Sequence, residues 1–160
     1  MSRNTLMQLT LATLCLALGA PVTALAVGSG PPPQPASRPA PANTNTAEAA
    51  YTRGLQAKEA KRFPEAVTDF RTAVSLNPRY PEAWNELGFA LRQSGNYAEA
   101  LKAYDEALRL RPNFPEAMEY LGEAYVKLGR LDDARAVLER LKRLDASHAR
   151  ELEEAIAAGK

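Results

Sequence analysis

Residues able to do covalent or metal chemistry are sparse in this chain. It has one cysteine, Cys15, and one histidine, His148. Cys15 sits inside an N-terminal apolar run, so a disulfide framework and a cysteine-based metal site are both excluded. It does not fit a bacterial lipidation signal either. Leu14 precedes it and Ala12 stands three before it, the reverse of the small and aliphatic residues that signal needs. His148 falls at an expected helix boundary, where a surface or capping role suits it better than acid–base work. Glu116, Glu119 and Glu123 recur at helical spacing and share one face. They lack the looped oxygen cage that calcium needs. No buried pocket is implied that would raise a carboxylate pKa for catalysis. There is no G-x-S-x-G elbow and no Walker loop; Gly28-Ser29-Gly30 lies among prolines and small residues. The expectation is a protein without enzymatic activity, cofactor or metal.

Charge points the same way. Twenty Lys and Arg against nineteen Asp and Glu leave a formal net charge of +1. Such a balance offers no field for nucleic acid or an anionic membrane surface. Arg140, Lys142 and Arg143 form a local basic cluster, but they alternate with Leu138, Leu141 and Leu144. That pattern is the wet side of an amphipathic helix.

Two N-terminal segments set the context. Residues 1–26 read as a signal peptide: Arg3 supplies the positive start, Leu6 to Leu18 the apolar run, and Ala24-Leu25-Ala26 the cleavage pattern. Cleavage is expected after Ala26, which implies a periplasmic or secreted protein. The alternative is a retained N-terminal membrane anchor, since Leu6 to Ala26 is just long enough to span a bilayer. Residues 27–46 read as a disordered linker, with Pro31, Pro32, Pro33, Pro35, Pro39 and Pro41 among small residues. As polyproline II at about 3.1 Å per residue, Gly28 to Ala42 would reach roughly 40 Å.

From about Ala47 onward, apolar residues recur at helical spacing. The segment also resembles itself at a step of about 34 residues. Tyr80-Pro81-Glu82-Ala83 returns as Phe114-Pro115-Glu116-Ala117. Gly54, Gly88 and Gly122 keep that step, as do Ala66, Ala100 and Ala134, and Phe70, Tyr104 and Leu138. A glycine inside a helix costs about 1 kcal/mol relative to alanine, so its recurrence predicts close helix approach. Ala100 and Ala134 would let a second helix nestle against the first, with Trp84, Leu87 and Tyr104 filling the space between. Helices are expected near 47–60, 64–76, 81–94, 97–110, 115–128 and 131–144. Pro64, Pro81 and Pro115 stand at starts, and Gly95-Asn96 and Gly129-Arg130 at turns. Asn96 with Glu99 reads as an N-cap pair. A seventh helix starts near Ser147, its expected cap, and presents Leu152 and Ile156 on one face.

These residues resemble the tetratricopeptide repeat family. The middle unit carries Trp84, Leu87, Gly88, Ala100, Tyr104, Ala107 and Pro112, with Leu91 where tyrosine is usual. The first unit departs at Ala50 and Arg53, the third at Met118, Leu138, Leu141 and Ala146. The resemblance implies an all-α fold, an α-solenoid of three helix-turn-helix hairpins (47–80, 81–114 and 115–148) with a capping helix over 149–160. It further implies a concave groove lined by the first helix of each hairpin. Carried over position by position, the partner-binding groove comprises Tyr51, Leu55, Asn85, Glu86, Phe89, Arg92, Glu116, Glu119, Tyr120 and Glu123, flanked by Lys58, Gln93 and Val126. Tyr51, Leu55, Phe89 and Tyr120 are apolar or aromatic where repeat packing does not require it, and so are candidate hot spots. The carboxylates read either as a solvated acidic face or as a rim preferring basic partner segments. Tyr51, Leu55, Glu86, Glu116 and Tyr120 supply none of the donors with which chaperone-tail-binding members clamp a terminal carboxylate. The expected function is protein or peptide binding, in envelope or secretion-system assembly. The alternative is a membrane-tethered structural or self-associating scaffold. No nucleic acid is expected as a partner, and no membrane once the leader is removed.

Overall fold

The computed structural model describes residues 46–159. The expected signal peptide, its cleavage position and all but the end of the expected linker lie outside the described residues. Within them the chain is all helical. The helices are α1 (Ala47–Glu59), α2 (Phe63–Leu76), α3 (Pro81–Gln93), α4 (Tyr97–Leu110), α5 (Pro115–Lys127), α6 (Leu131–Leu141) and α7 (Ala146–Ala158). None of them is long and apolar enough to cross a membrane.

Local chemistry explains most of the boundaries. Thr46 caps α1, its Oγ1 accepting from Ala49 N at 3.1 Å. Pro64, Pro81 and Pro115 occupy the first turns of α2, α3 and α5, where a missing N–H costs nothing. Between α3 and α4 the chain turns at Gly95, φ +80°, and between α5 and α6 at Gly129, φ +71°. These left-handed values suit glycine. At the equivalent place between α1 and α2 stands Lys61, held at φ +57°.

Two caps differ from expectation. Asn96 makes no capping bond; its amide instead donates to Glu99 Oε1 at 3.0 Å. Helix α7 is capped by Asp145, whose carboxylate accepts from Ser147 N at 2.9 Å and His148 N at 3.1 Å. Asp145 lies two residues earlier and its charge suits a helix N-terminus, so it displaces Ser147. Helix α6 stops at Leu141, leaving Leu144 exposed while Leu138 and Leu141 stay buried.

Helices pair as neighbours in sequence: α1 with α2, α3 with α4, α5 with α6, and α7 against both α5 and α6. The recurring glycines permit the close approach. A Cβ on Gly54 would lie 2.5 Å from the Phe70 ring, and one on Gly88 2.5 Å from the Tyr104 ring. Phe70 and Tyr104 are fully buried, each worth about 2–3 kcal/mol of apolar burial. At Gly122 the rule changes: a Cβ there would meet Leu152 of α7 at 2.5 Å, not Leu138 of α6. Ala66, Ala100 and Ala134 are each fully buried, letting the second helix of each pair seat closely.

Candidate functional site

Helices α1, α3 and α5 are the first members of successive hairpins, and α3 touches both of the others. Their 3.6-residue period brings Tyr51, Leu55 and Lys58, then Glu86, Phe89 and Arg92, then Glu116, Glu119, Tyr120 and Glu123 into one layer. The layer is held by alternating rings and charges. Tyr51 packs 5.7 Å from Phe70 and 4.9 Å from Tyr80, centroid to centroid. Phe89 lies 6.3 Å from Phe63 and 5.4 Å from Tyr120. Lys58 Nζ stands 5.3 Å over the Phe89 ring and pairs with Glu86 Oε2 at 2.7 Å. The Arg92 guanidinium lies 5.4 Å over Phe89 and 5.3 Å over Tyr120, and it pairs with Glu123 at 2.7 Å. Each cation is thus shared between a π-face and a carboxylate, and both contacts are partly dry.

Burial divides the expected groove residues. Tyr51, Leu55, Phe89, Arg92, Glu116, Tyr120 and Glu123 are half-buried, and Gln93 is exposed. Asn85 (1% exposed), Glu86 (8%), Glu119 (5%) and Val126 (4%) are buried, so they reach a ligand only through the layer above them. The aromatic positions serve packing as well as exposure: Tyr51, Leu55 and Tyr120 all rest on the main core. Among the described residues, three buried polar atoms, Asn85 Oδ1, Arg92 Nε and the Tyr104 hydroxyl, have no hydrogen-bond partner of ordinary geometry.

The acidic face is not the solvated surface that helical spacing suggested. Glu123 is taken by Arg92, Glu86 by Lys58, and Glu119 is buried against His148 Nδ1. Only Glu116, of the carboxylates expected in the groove, has no ion pair among the described residues; its charge acts on the Tyr120 hydroxyl, four residues along α5. His148 is therefore neither a free surface residue nor a side-chain cap, although it lies in the first turn of α7. It joins α7 to α5. The signal for this pairing was weak but present. Glu119 and His148 are 29 residues apart, the separation at which Glu82 also meets Arg111. A pairing one residue closer joins Lys58 to Glu86.

Titration reflects this layering. Burial pushes the Tyr51 hydroxyl up to about 12, helped by the charges of Glu86, Tyr80, Glu82 and Glu116. Burial and the charges of Glu116, Glu119 and Glu86 raise Tyr120 further. Glu86 is raised by burial against the pull of Lys58, and Glu119 by burial against the His148 hydrogen bond. For His148, burial lowers the pKa, but the Glu119 bond and the charges of Glu119, Asp145 and Glu151 outweigh it. The face offers fixed rings and carboxylates, which are means of recognition.

Tetratricopeptide repeat family models match residues 51–113 and 91–158. Solved structures share the fold. The first tetratricopeptide domain of Spaghetti (RPAP3) bound to an HSP90 peptide is 19% identical, with a TM-score of 0.65 over 72% of this chain and 94% of that one. The TPR2B-domain:pHsp70 complex of yeast Sti1 is 22% identical, with a TM-score of 0.67 over 71% of this chain and 94% of that one. A CopN-Scc3 complex chain is 27% identical, with a TM-score of 0.61 over 71% of this chain and 69% of that one. None of the curated proteins matches the sequence.

Proposed function

The chain belongs to the tetratricopeptide repeat family, and we propose on that premise that it is a non-enzymatic interaction module of three repeats. The face of α1, α3 and α5 holds a peptide or helix of a protein partner. The observation that carries this reading is the half-exposed aromatic row Tyr51, Phe89 and Tyr120, in which Lys58 and Arg92 pin Phe89 and Tyr120, and Phe70 and Tyr80 flank Tyr51. Rings already fixed in place lose little rotamer freedom when a ligand covers them. Glu116, lacking an internal cation among the described residues, biases the face toward basic segments. The HSP90- and Hsp70-peptide complexes of the similar folds support peptide capture as a use of the architecture. Capture by a terminal-carboxylate clamp is not carried over, because Tyr51, Leu55 and Glu86 are no donors of that kind.

A micromolar partner is expected, which corresponds to about 8 kcal/mol. Export rests on Arg3, the apolar run after it and the Ala24-Leu25-Ala26 pattern; on that footing the protein works in the periplasm, in envelope or secretion-system assembly. Crosslinking in native envelope extracts, followed by mass spectrometry, identifies the partner. Phe89→Ala with Tyr120→Ala should then abolish its capture while far-UV helicity is retained. Undiminished capture by a helical double variant refutes this face as the binding site. An intact 1–26 segment on the purified protein would favour the tethered scaffold instead.

A further inference from the structure

The ion pairs of the first-helix layer follow one rule that breaks at its C-terminal end. Glu86 has Lys58 and Glu123 has Arg92. Glu119, buried on α5, is met by an imidazole only, and Glu151 of α7 pairs with no cation among the described residues. One ligand atom from each of Glu119, His148 and Glu151 lies within 4.8 Å of the other two. His148 and Glu151 are three residues apart on α7 and share a face. Glu119 comes from α5, across the seam that Leu152 fills beneath Gly122.

We propose that Glu119, His148 and Glu151 bind a divalent first-row transition-metal ion, of the Zn2+ class, that ties α7 to α5. One imidazole nitrogen and two carboxylate oxygens suit such an ion. Bonds of about 2.0–2.2 Å put the donors of one centre roughly 3–4 Å apart. The present spacing approaches that geometry, and exposed Glu151 has the freedom to close the remainder. His148 Nδ1 and the Glu119 carboxylate, now in direct contact, move apart as the ion takes the place of the shared proton. Two carboxylates and a neutral imidazole then match the ion's double charge, so the mutual repulsion of Glu119 and Glu151 is removed. Asp145, on the α7 N-terminus beside His148, offsets the unfavourable helix dipole for a cation there. Three protein ligands leave a coordination position for water or an incoming carboxylate.

The test uses the full chain, stripped with chelator. Zn2+ is titrated by calorimetry, and Co2+ by its visible absorption. The parent should take up one ion per chain and gain thermal stability with Zn2+. His148→Ala should lose the saturable uptake and the stabilisation, and Glu151→Gln should weaken binding at least tenfold. Cys15→Ser, which removes the chain's only thiol, should change nothing. Both α7 positions are solvent-accessible, so the variants should keep parental helicity; Glu151→Gln decides if His148→Ala does not. Absence of saturable uptake by the parent overturns the proposal. So does uptake that His148→Ala and Glu151→Gln leave intact, or uptake lost in Cys15→Ser.

Discussion

The first two hairpins and the third use the same glycine in opposite ways. In α1–α2 and α3–α4, the space beside Gly54 or Gly88 is filled from within the pair, by Phe70 or Tyr104. In α5–α6 the ring is replaced by Leu138, and the space beside Gly122 is filled from outside, by Leu152 of α7. The first two are complete as pairs, whereas the last depends on a seventh helix. A stacked array ends in an apolar face that some element must cover. Here the cover also reaches into the hairpin it protects.

Breaking that dependence should give the largest effect. Leu152→Ala removes a fully buried side chain, and a loss of about 3 kcal/mol is expected from transfer and cavity terms. Hydrogen exchange should show α7 and the facing part of α5 opening while α1 to α4 keep their protection. Uniform deprotection of all the helices would mean that the two regions are not separable.

A smaller effect tests the layered charges of the first two hairpins. Lys58→Met leaves Glu86 buried without its cation, and about 1–2 kcal/mol should be lost at neutral pH. Because burial already raises the Glu86 pKa, the folded protein holds that proton more tightly than the unfolded chain. The penalty is therefore absent below the unfolded carboxylate pKa and grows as pH rises through the folded value. Denaturant melts of parent and variant should nearly coincide at pH 4 and separate by pH 7.

The smallest effect concerns the turns. Gly95 and Gly129 occupy left-handed geometry at no steric cost, whereas Lys61 occupies it with a side chain. Lys61→Gly should stabilise by about 0.5 kcal/mol, the relief of strain being partly offset by a more flexible unfolded chain. The converse Gly95→Lys should destabilise by about 1 kcal/mol in the same melts.

Much of the architecture was legible because its causes are local and repeated. Prolines at first turns, the glycine turns at Gly95 and Gly129, and the spacing of Gly54, Gly88 and Gly122 need no knowledge of distant contacts. The caps were less legible. Both Asp145 and Ser147 can cap, and only the backbone at Asp145 (φ −153°, ψ 110°) decides between them. Least legible were the carboxylates. Helical spacing puts Glu116, Glu119 and Glu123 on one face of α5, but their burial and partners depend on α3 and α7.

The order of residues alone determined that helices form, where they turn, and that their backbones approach at matched glycines. These outcomes follow from φ preferences, missing N–H groups and apolar period, all properties of short stretches. Which side chain fills the space beside Gly122, and which cation or imidazole meets each glutamate, was decided only in three dimensions. Burial and ion pairing are properties of the space between helices. That space depends on how successive pairs stack rather than on any single stretch of chain.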